Sequence, residues 1–217
     1  VVADVPIVWF PTSCLSAEPS RSTIHDLLAW RERRTHTVLD RFGIELPDQL
    51  AAIPGAEGVR YQLLEDYRDL LEEFEQQAVD DPQLSSDLAT AYSKLGTLAE
   101  KLGERREALA RHVAARDAWQ ARVGEEPANA ELVRKLALAH NNVGLLEAEL
   151  GRGSESLASL EAAERLQRTF ADDVTASASV AAELAATCGN QGIVLRQLDR
   201  RDEAAAKFRA AIAILEP

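Results

Sequence analysis

The residues from which a reactive site would have to be built are two cysteines, four histidines and a handful of acidic pairs. Cys14 and Cys188 stand far apart in sequence and form no C-x-x-C pair, and two thiols alone fix neither their pairing nor the compartment. His25, His36, His112 and His140 lack H-E-x-x-H spacing and a third ligand, so no metal is expected. Phosphate-cradling signatures are missing too: there is no G-x-x-x-x-G-K-[ST], no G-x-G-x-x-G, no H-R-D and no D-F-G. Glu72-Glu73, Glu125-Glu126 and Asp172-Asp173 read as solvated charge on loops or helix faces and not as acid-base pairs. The expectation is a chain that is no enzyme, with no cofactor.

Charge narrows the partners. Net charge is -12, which argues against nucleic acid and anionic membrane, because counterion release needs a basic patch. Acidic partners would be repelled as well. No apolar run reaches the length needed to span a bilayer, and VVADVPIVWF at the start is interrupted by Asp4 and Pro6, so direct membrane insertion is not expected. The chain has no Met and opens on Val1, which reads as a piece cut from a longer protein. The compartment is left open.

The pattern that must position any functional surface lies in Gln83 to Pro217, where the chain repeats with a step of 48 residues. Gly96, Gly144 and Gly192 fall in register, as do Leu88, Leu136 and Leu184, Ala89, Ala137 and Ala185, Glu107, Glu155 and Glu203, and Ala115, Ala163 and Ala211. Two further glycines matching a given first one is roughly a 1 in 200 event at ordinary glycine usage. Repeats of this size signal stacked units.

Each unit reads as two helices. Apolar residues in the first recur at i, i+3, i+4 and i+7, as in Leu88, Ala91, Tyr92 and Leu95. Breaks follow at Gly103, at Gly151-Arg152-Gly153 and at Asp199-Arg200, and a second helix then runs through EALARHVAARDAW, ESLASLEAAERLQ and EAAAKFRAAIAIL. A glycine inside a helix costs about 1 kcal/mol relative to alanine, so its recurrence implies close approach of the neighbouring helix. The small residues Ala108, Ser156 and Ala204, twelve positions on, are the expected partners.

The set Gly96, Ala108, His112, Ala115, repeated as Gly144, Ser156, Leu160, Ala163 and as Gly192, Ala204, Phe208, Ala211, resembles the tetratricopeptide repeat. That family repeats every 34 residues or so, about two helices per unit, whereas the step here is 48, so the resemblance is to a long-helix variant. HNNVG and LGERREAL look like the repeats that follow the kinase domain in certain bacterial serine/threonine kinases, and the likeness runs from about Leu46 to Pro217. It implies an all-α, right-handed α-solenoid of antiparallel helix pairs, with about 3.5 repeats behind an N-terminal helical cap.

The remainder follows from that frame. Residues 1–21 read as an extended leader carrying Pro6, Pro11 and Pro19, whose apolar residues pack on the first helices or lie in a repeat groove. Residues 22–58 read as a helix from Thr23 to Phe42, with Arg31, Arg33, Arg34 and Arg41, then an irregular stretch. The array is residues 59–217: a half repeat over 59–79, with Tyr67 in the Ala115 column and Leu71 in the Trp119 column, then repeats at 83–127, 128–173 and 176–217.

The resemblance also implies where a partner would lie. One stripe of each first helix lines the concave face of such a stack, and carried over here it marks Lys94, Thr97 and Lys101, then Asn141, Asn142 and Leu145, then Asn190, Ile193 and Arg196. Asparagine in such a stripe can donate to and accept from an extended peptide backbone. Of the Lys, Asn and Arg set with which some family members grip a C-terminal carboxylate, only Asn142 clearly matches, with Thr97 and Ala186 in place of an Asn and a Lys. The resemblance thus implies a non-catalytic scaffold that binds a peptide or partner segment, as the docking or regulatory region of a larger signalling protein. Two alternatives stay open. Ala205, Phe208, Ala211, Ile212 and Leu215 leave the last helix an apolar face, which suits an oligomerisation module or homodimer. An enzyme accessory would instead need a pocket in which ionisable groups converge.

Overall fold

A computed structural model of the chain describes residues 55, 58–59, 61–62, 64–66, 68–69, 71, 82–171 and 178–216. The leader, the helix expected over Thr23 to Phe42, Tyr67, Cys14, His25, His36, Glu72-Glu73 and Asp172-Asp173 lie outside the described residues. Among those described there is no strand. Six helices run in order: α1 (Pro82–Lys101), α2 (Arg105–Glu125), α3 (Ala130–Glu149), α4 (Gly153–Ala171), α5 (Ala178–Gln197) and α6 (Arg201–Leu215). Described residues between 58 and 71 are helical as well, apart from these six.

The helices pair as α1–α2, α3–α4 and α5–α6, each packing most extensively on its hairpin partner, and the second helix of one pair packs on the first helix of the next. Among the described residues the fold is all-α, a stack of antiparallel helix pairs as the sequence reading expects. Each second helix begins two residues before the expected EALA, ESLA and EAAA segments.

Turn chemistry repeats with the same step as the glycines. Gly103, Gly151 and Asp199 all adopt positive φ, at 81°, 76° and 59°. The N–H that follows each reaches back five residues to a carbonyl: Glu104 to Ala99 at 2.9 Å, Arg152 to Glu147 at 2.8 Å and Arg200 to Leu195 at 2.9 Å. Such left-handed closures satisfy helix-end carbonyls that would otherwise lack partners. Between pairs, Asn129 caps α3 by accepting from the Leu132 N–H at 3.3 Å.

The helix glycines do meet a neighbour, but mainly a large one. A β-carbon on Gly96 would stand 2.7 Å from the His112 ring, one on Gly144 2.8 Å from Leu160 Cγ, and one on Gly192 2.6 Å from the Phe208 ring. Of the expected small partners, Ser156 alone comes among the nearest atoms, its carbonyl 3.1 Å from the Gly144 position. Its hydroxyl donates to the Gly144 carbonyl at 2.6 Å. Side chains angle toward the N-terminal turn of their own helix, so the residue sixteen positions on reaches the glycine where the residue twelve on does not.

Three apolar clusters run across the joints. Leu64 and Leu71 pack with Leu95 and Leu98 of α1, Leu109 of α2, and Val143 and Leu146 of α3. Ala89 and Trp119 pack with Leu132 and Leu136. Leu157 and Leu160 of α4 pack with Val194 and Leu195 of α5 and Ala204 of α6. A fully buried leucine contributes about 1.5–3 kcal/mol, and here neighbouring pairs supply one another's cover.

Candidate functional site

First helices α1 and α3 enclose a cleft of about 380 Å³ whose lining includes Thr90, Lys94, Thr97, Lys101, Lys135, Leu138 and Asn142. On α1 these residues recur at i, i+4, i+7 and i+11, and on α3 at i, i+3 and i+7, so one stripe of each helix faces the opening. Trp119, reaching in from α2, is only 3% exposed and forms the floor. The Lys135 ammonium sits 4.9 Å from the Trp119 ring centroid, within cation–π range. Lys135 also lies 3.9 Å from Glu131. The cleft therefore offers three ammonium groups, an amide, hydroxyls and an aromatic floor, and among the described residues no carboxylate lines it.

Four of the nine residues that the repeat pattern marks meet in this cleft: Lys94, Thr97, Lys101 and Asn142. Two others join first helices to each other, for the Asn190 amide donates to Asn141 Oδ1 at 3.1 Å. Thr187 donates to the same oxygen at 3.4 Å. Leu145 is 38% exposed and Ile193 43%, both in the Thr97 column one and two units on. Arg196 stands elsewhere, in a second cleft with Asp199, Arg201, Ala204, Ala205 and Phe208 at the α5–α6 turn. Its column holds Glu100 and Ala148, and Glu100 accepts from His112 on the second helix at 2.6 Å, so the column faces the hairpin partner. Lys135 and Trp119 were not singled out for the groove by the sequence, although Lys135 stands at i-3 and i-7 from Leu138 and Asn142.

A second polar group lies inside the stack. Glu164 of α4 is buried and accepts from Lys207 of α6 at 2.6 Å, Arg168 at 2.7 Å and Gln191 of α5 at 3.0 Å. Burial alone would raise its pKa. Hydrogen bonds from Lys207, Arg168 and Gln191 outweigh that and hold the carboxyl at about 2. An acid so fully occupied by cations is a joint between two units and has no proton to exchange near neutral pH. Cys188 lies beside it, Sγ 3.9 Å from Glu164, and burial pushes its thiol up. The signal was present in the columns: Gln191 stands where Leu95 and Val143 pack, and Glu164 stands where Arg116 does.

The histidines on the array serve packing. His112 is fully buried over Gly96. His140 is lowered to about 4, first by burial and then by Arg116 and Arg165. Glu125 and Glu126 both pair with Arg122, the second at 2.5 Å. Among the described residues, no group of three or more His, Cys, Asp or Glu side chains could hold a metal ion. No described helix is long and apolar enough to cross a membrane.

No family model matches the chain, and no curated protein is similar to it in sequence. Among solved structures, it is similar to the crystal structure of MamA at 20% identity, with 84% of this chain and 92% of that one covered and a TM-score of 0.41. It is also similar to the crystal structure of BtubC (BKLC) from P. vanneervenii at 20% identity, with 84% of each chain covered and a TM-score of 0.35. Likeness at this level assigns no function.

Proposed function

We propose that the array is a non-catalytic scaffold that holds a peptide or partner segment along its first helices, as the docking or regulatory region of a larger signalling protein such as a serine/threonine kinase. The observation that carries the reading is the cleft between α1 and α3, in which Lys94, Thr97, Lys101 and Asn142 converge above the Trp119 ring. The kinase connection rests on the HNNVG and LGERREAL resemblance alone. Selection of a random phage-displayed peptide library on the immobilised chain tests the reading. Enriched peptides should lose binding on Asn142→Ala and Leu145→Arg and keep it on Glu161→Ala, an exposed position on α4. Enrichment of nothing, or of peptides indifferent to the first two substitutions, would remove the reading.

A second reading has its own observation. Ile212 is 57% exposed and Leu215 61%, in the columns where Glu164 and Gln167 of α4 are buried. This uncovered face suits a homodimer through the last repeat, with end-to-end helix packing as the module's purpose. Light scattering decides it: a dimer converted to monomer by Ile212→Lys supports this alternative, and a monomer at high micromolar concentration removes it.

A further inference from the structure

Each second helix turns one face to the unit that follows it. On α4 that face is Leu157, Leu160, Glu164 and Gln167, all buried where α5 packs. The same columns on α6 hold Ala205, Phe208, Ile212 and Leu215, so the face that nothing covers is the more apolar of the two. Ala205, Ile212 and Leu215 are exposed, and Phe208 is half-buried. The inner joints show how such a face is closed. Leu198, just past the end of α5, lies against Gly153 at the start of α4, its Cδ2 2.8 Å from where a β-carbon on that glycine would stand. Leu150 holds the same column one unit earlier and packs on the cluster that contains Leu109. On α6 the matching place, at Arg201 in the Gly153 column, is an open cleft of about 440 Å³ lined by Arg196, Asp199, Arg201, Ala204, Ala205 and Phe208. A helix that closes it in the manner of the inner joints runs antiparallel to α6 and brings a large apolar residue from its own last turn into the cleft.

The chain carries such a helix end in α6 itself, whose last residue, Leu215, is 61% exposed. Ala205 and Leu215 stand five residues either side of Ala210, and Phe208 and Ile212 two either side. At about 100° per residue the four fall within about 80° of the helix circumference, so they form one stripe. We infer that a second copy of the chain covers this stripe with its own α6, antiparallel, so that Leu215 of each copy seats in the other's cleft opposite Ala205 and Ile212 lies opposite Phe208. Every contact then occurs twice, as a two-fold interface requires. Charge at the rim agrees: Glu216 of one copy follows Leu215 to Arg196 and Arg201 of the other, both on the cleft lining. Arg201 already donates to Asp199 at 2.8 Å, and a guanidinium has further donors. The first joint has the same arrangement, for Arg105, in the Arg201 column, binds Glu149, the residue before Leu150, at 2.8 Å. This inference rests on the homodimer reading and supplies its register. Net charge of -12 on each copy opposes association only weakly at physiological salt, where exposed charges act over about 8 Å. One helix from each copy makes an interface below about 1,200 Å², so the dimer should be weak and concentration-dependent.

The experiment is disulfide trapping between two variants of the full chain, Ala205→Cys and Leu215→Cys, each also carrying Cys14→Ser. Cys188 is buried, and both substituted positions are exposed, so the fold should tolerate the changes, as circular dichroism verifies. The two variants are mixed in equal amounts with oxidised glutathione, and the linked positions are mapped by mass spectrometry. In the mixed pair the reciprocal contact, Leu215 of the first variant on Ala205 of the second, stays native. The link between positions 205 and 215 should form at least tenfold faster than the link between 161 and 215 when Glu161→Cys, an exposed site on α4, replaces the first variant. Ile212→Lys in both chains should abolish that difference. Equal rates overturn the inference. If light scattering still shows a dimer that Ile212→Lys dissociates, the homodimer reading survives and only this register falls. A monomer at high micromolar concentration removes both.

Discussion

The His112 imidazole lies across Gly96, its Nε2 2.7 Å from where a β-carbon on that glycine would stand and 2.6 Å from Glu100 Oε1. A carboxylate accepts only, so the ring nitrogen donates. The same crossing is made by Leu160 over Gly144 and Phe208 over Gly192, three unlike side chains filling one kind of notch.

The notch sets the sign of a substitution. Gly144→Ala should destabilise by about 1 kcal/mol, because forcing a methyl against Leu160 and the Ser156 carbonyl costs about 1–3 kcal/mol and exceeds the gain of about 1 kcal/mol in helix propensity. Gly189→Ala, on α5 with nothing within 4 Å of the added carbon, should stabilise by up to about 1 kcal/mol. Urea midpoints of the two variants should move in opposite directions.

Asp199 holds the left-handed turn that glycine holds at 103 and 151. Removing its β-carbon by Asp199→Gly should raise stability by about 0.5–1 kcal/mol, since that conformation strains L residues by roughly 1–2 kcal/mol and aspartate somewhat less. Gly151→Ala should cost a similar amount. Thermal midpoints read both.

Acid should loosen the stack in two stages. His140, lowered to about 4, is neutral in the fold while the unfolded chain takes up a proton near 6.5, so stability is complete above pH 6.5 and declines as pH falls toward 4. Glu164, held at about 2 against an ordinary 4.5, contributes stability that is present above pH 4.5 and is lost as pH falls toward 2. Each contributes about 2 kcal/mol, less than the full shift would give because both keep some contact with solvent. His140→Phe should flatten the upper limb of a stability–pH curve, and Glu164→Gln the lower.

The repeat, the hairpins and the breaks were legible because periodicity and glycine placement are local signals. Residues that meet across the stack were harder to read. Trp119 reaches the cleft from a second helix, and Glu164 finds Lys207 and Gln191 on two other helices, relations that only the crossing of helices reveals. Arg196 shows the limit in one step of register: one position away from the Lys101, Glu149 and Gln197 column, it turns toward the hairpin partner.

The two adjacent asparagines should separate cleanly. Asn141→Ala breaks a bond between first helices and should lower stability by about 1 kcal/mol, while Asn142→Ala should leave stability unchanged and weaken peptide capture. Denaturation and binding measured on both variants check the division.

Photo-crosslinking tests the docking surface most directly. With p-benzoylphenylalanine in place of Leu145 or of Glu161, library-selected peptides should form adducts from position 145 and none from position 161. Adducts from 161, or equal yields from both, would contradict a binding face built from the first helices.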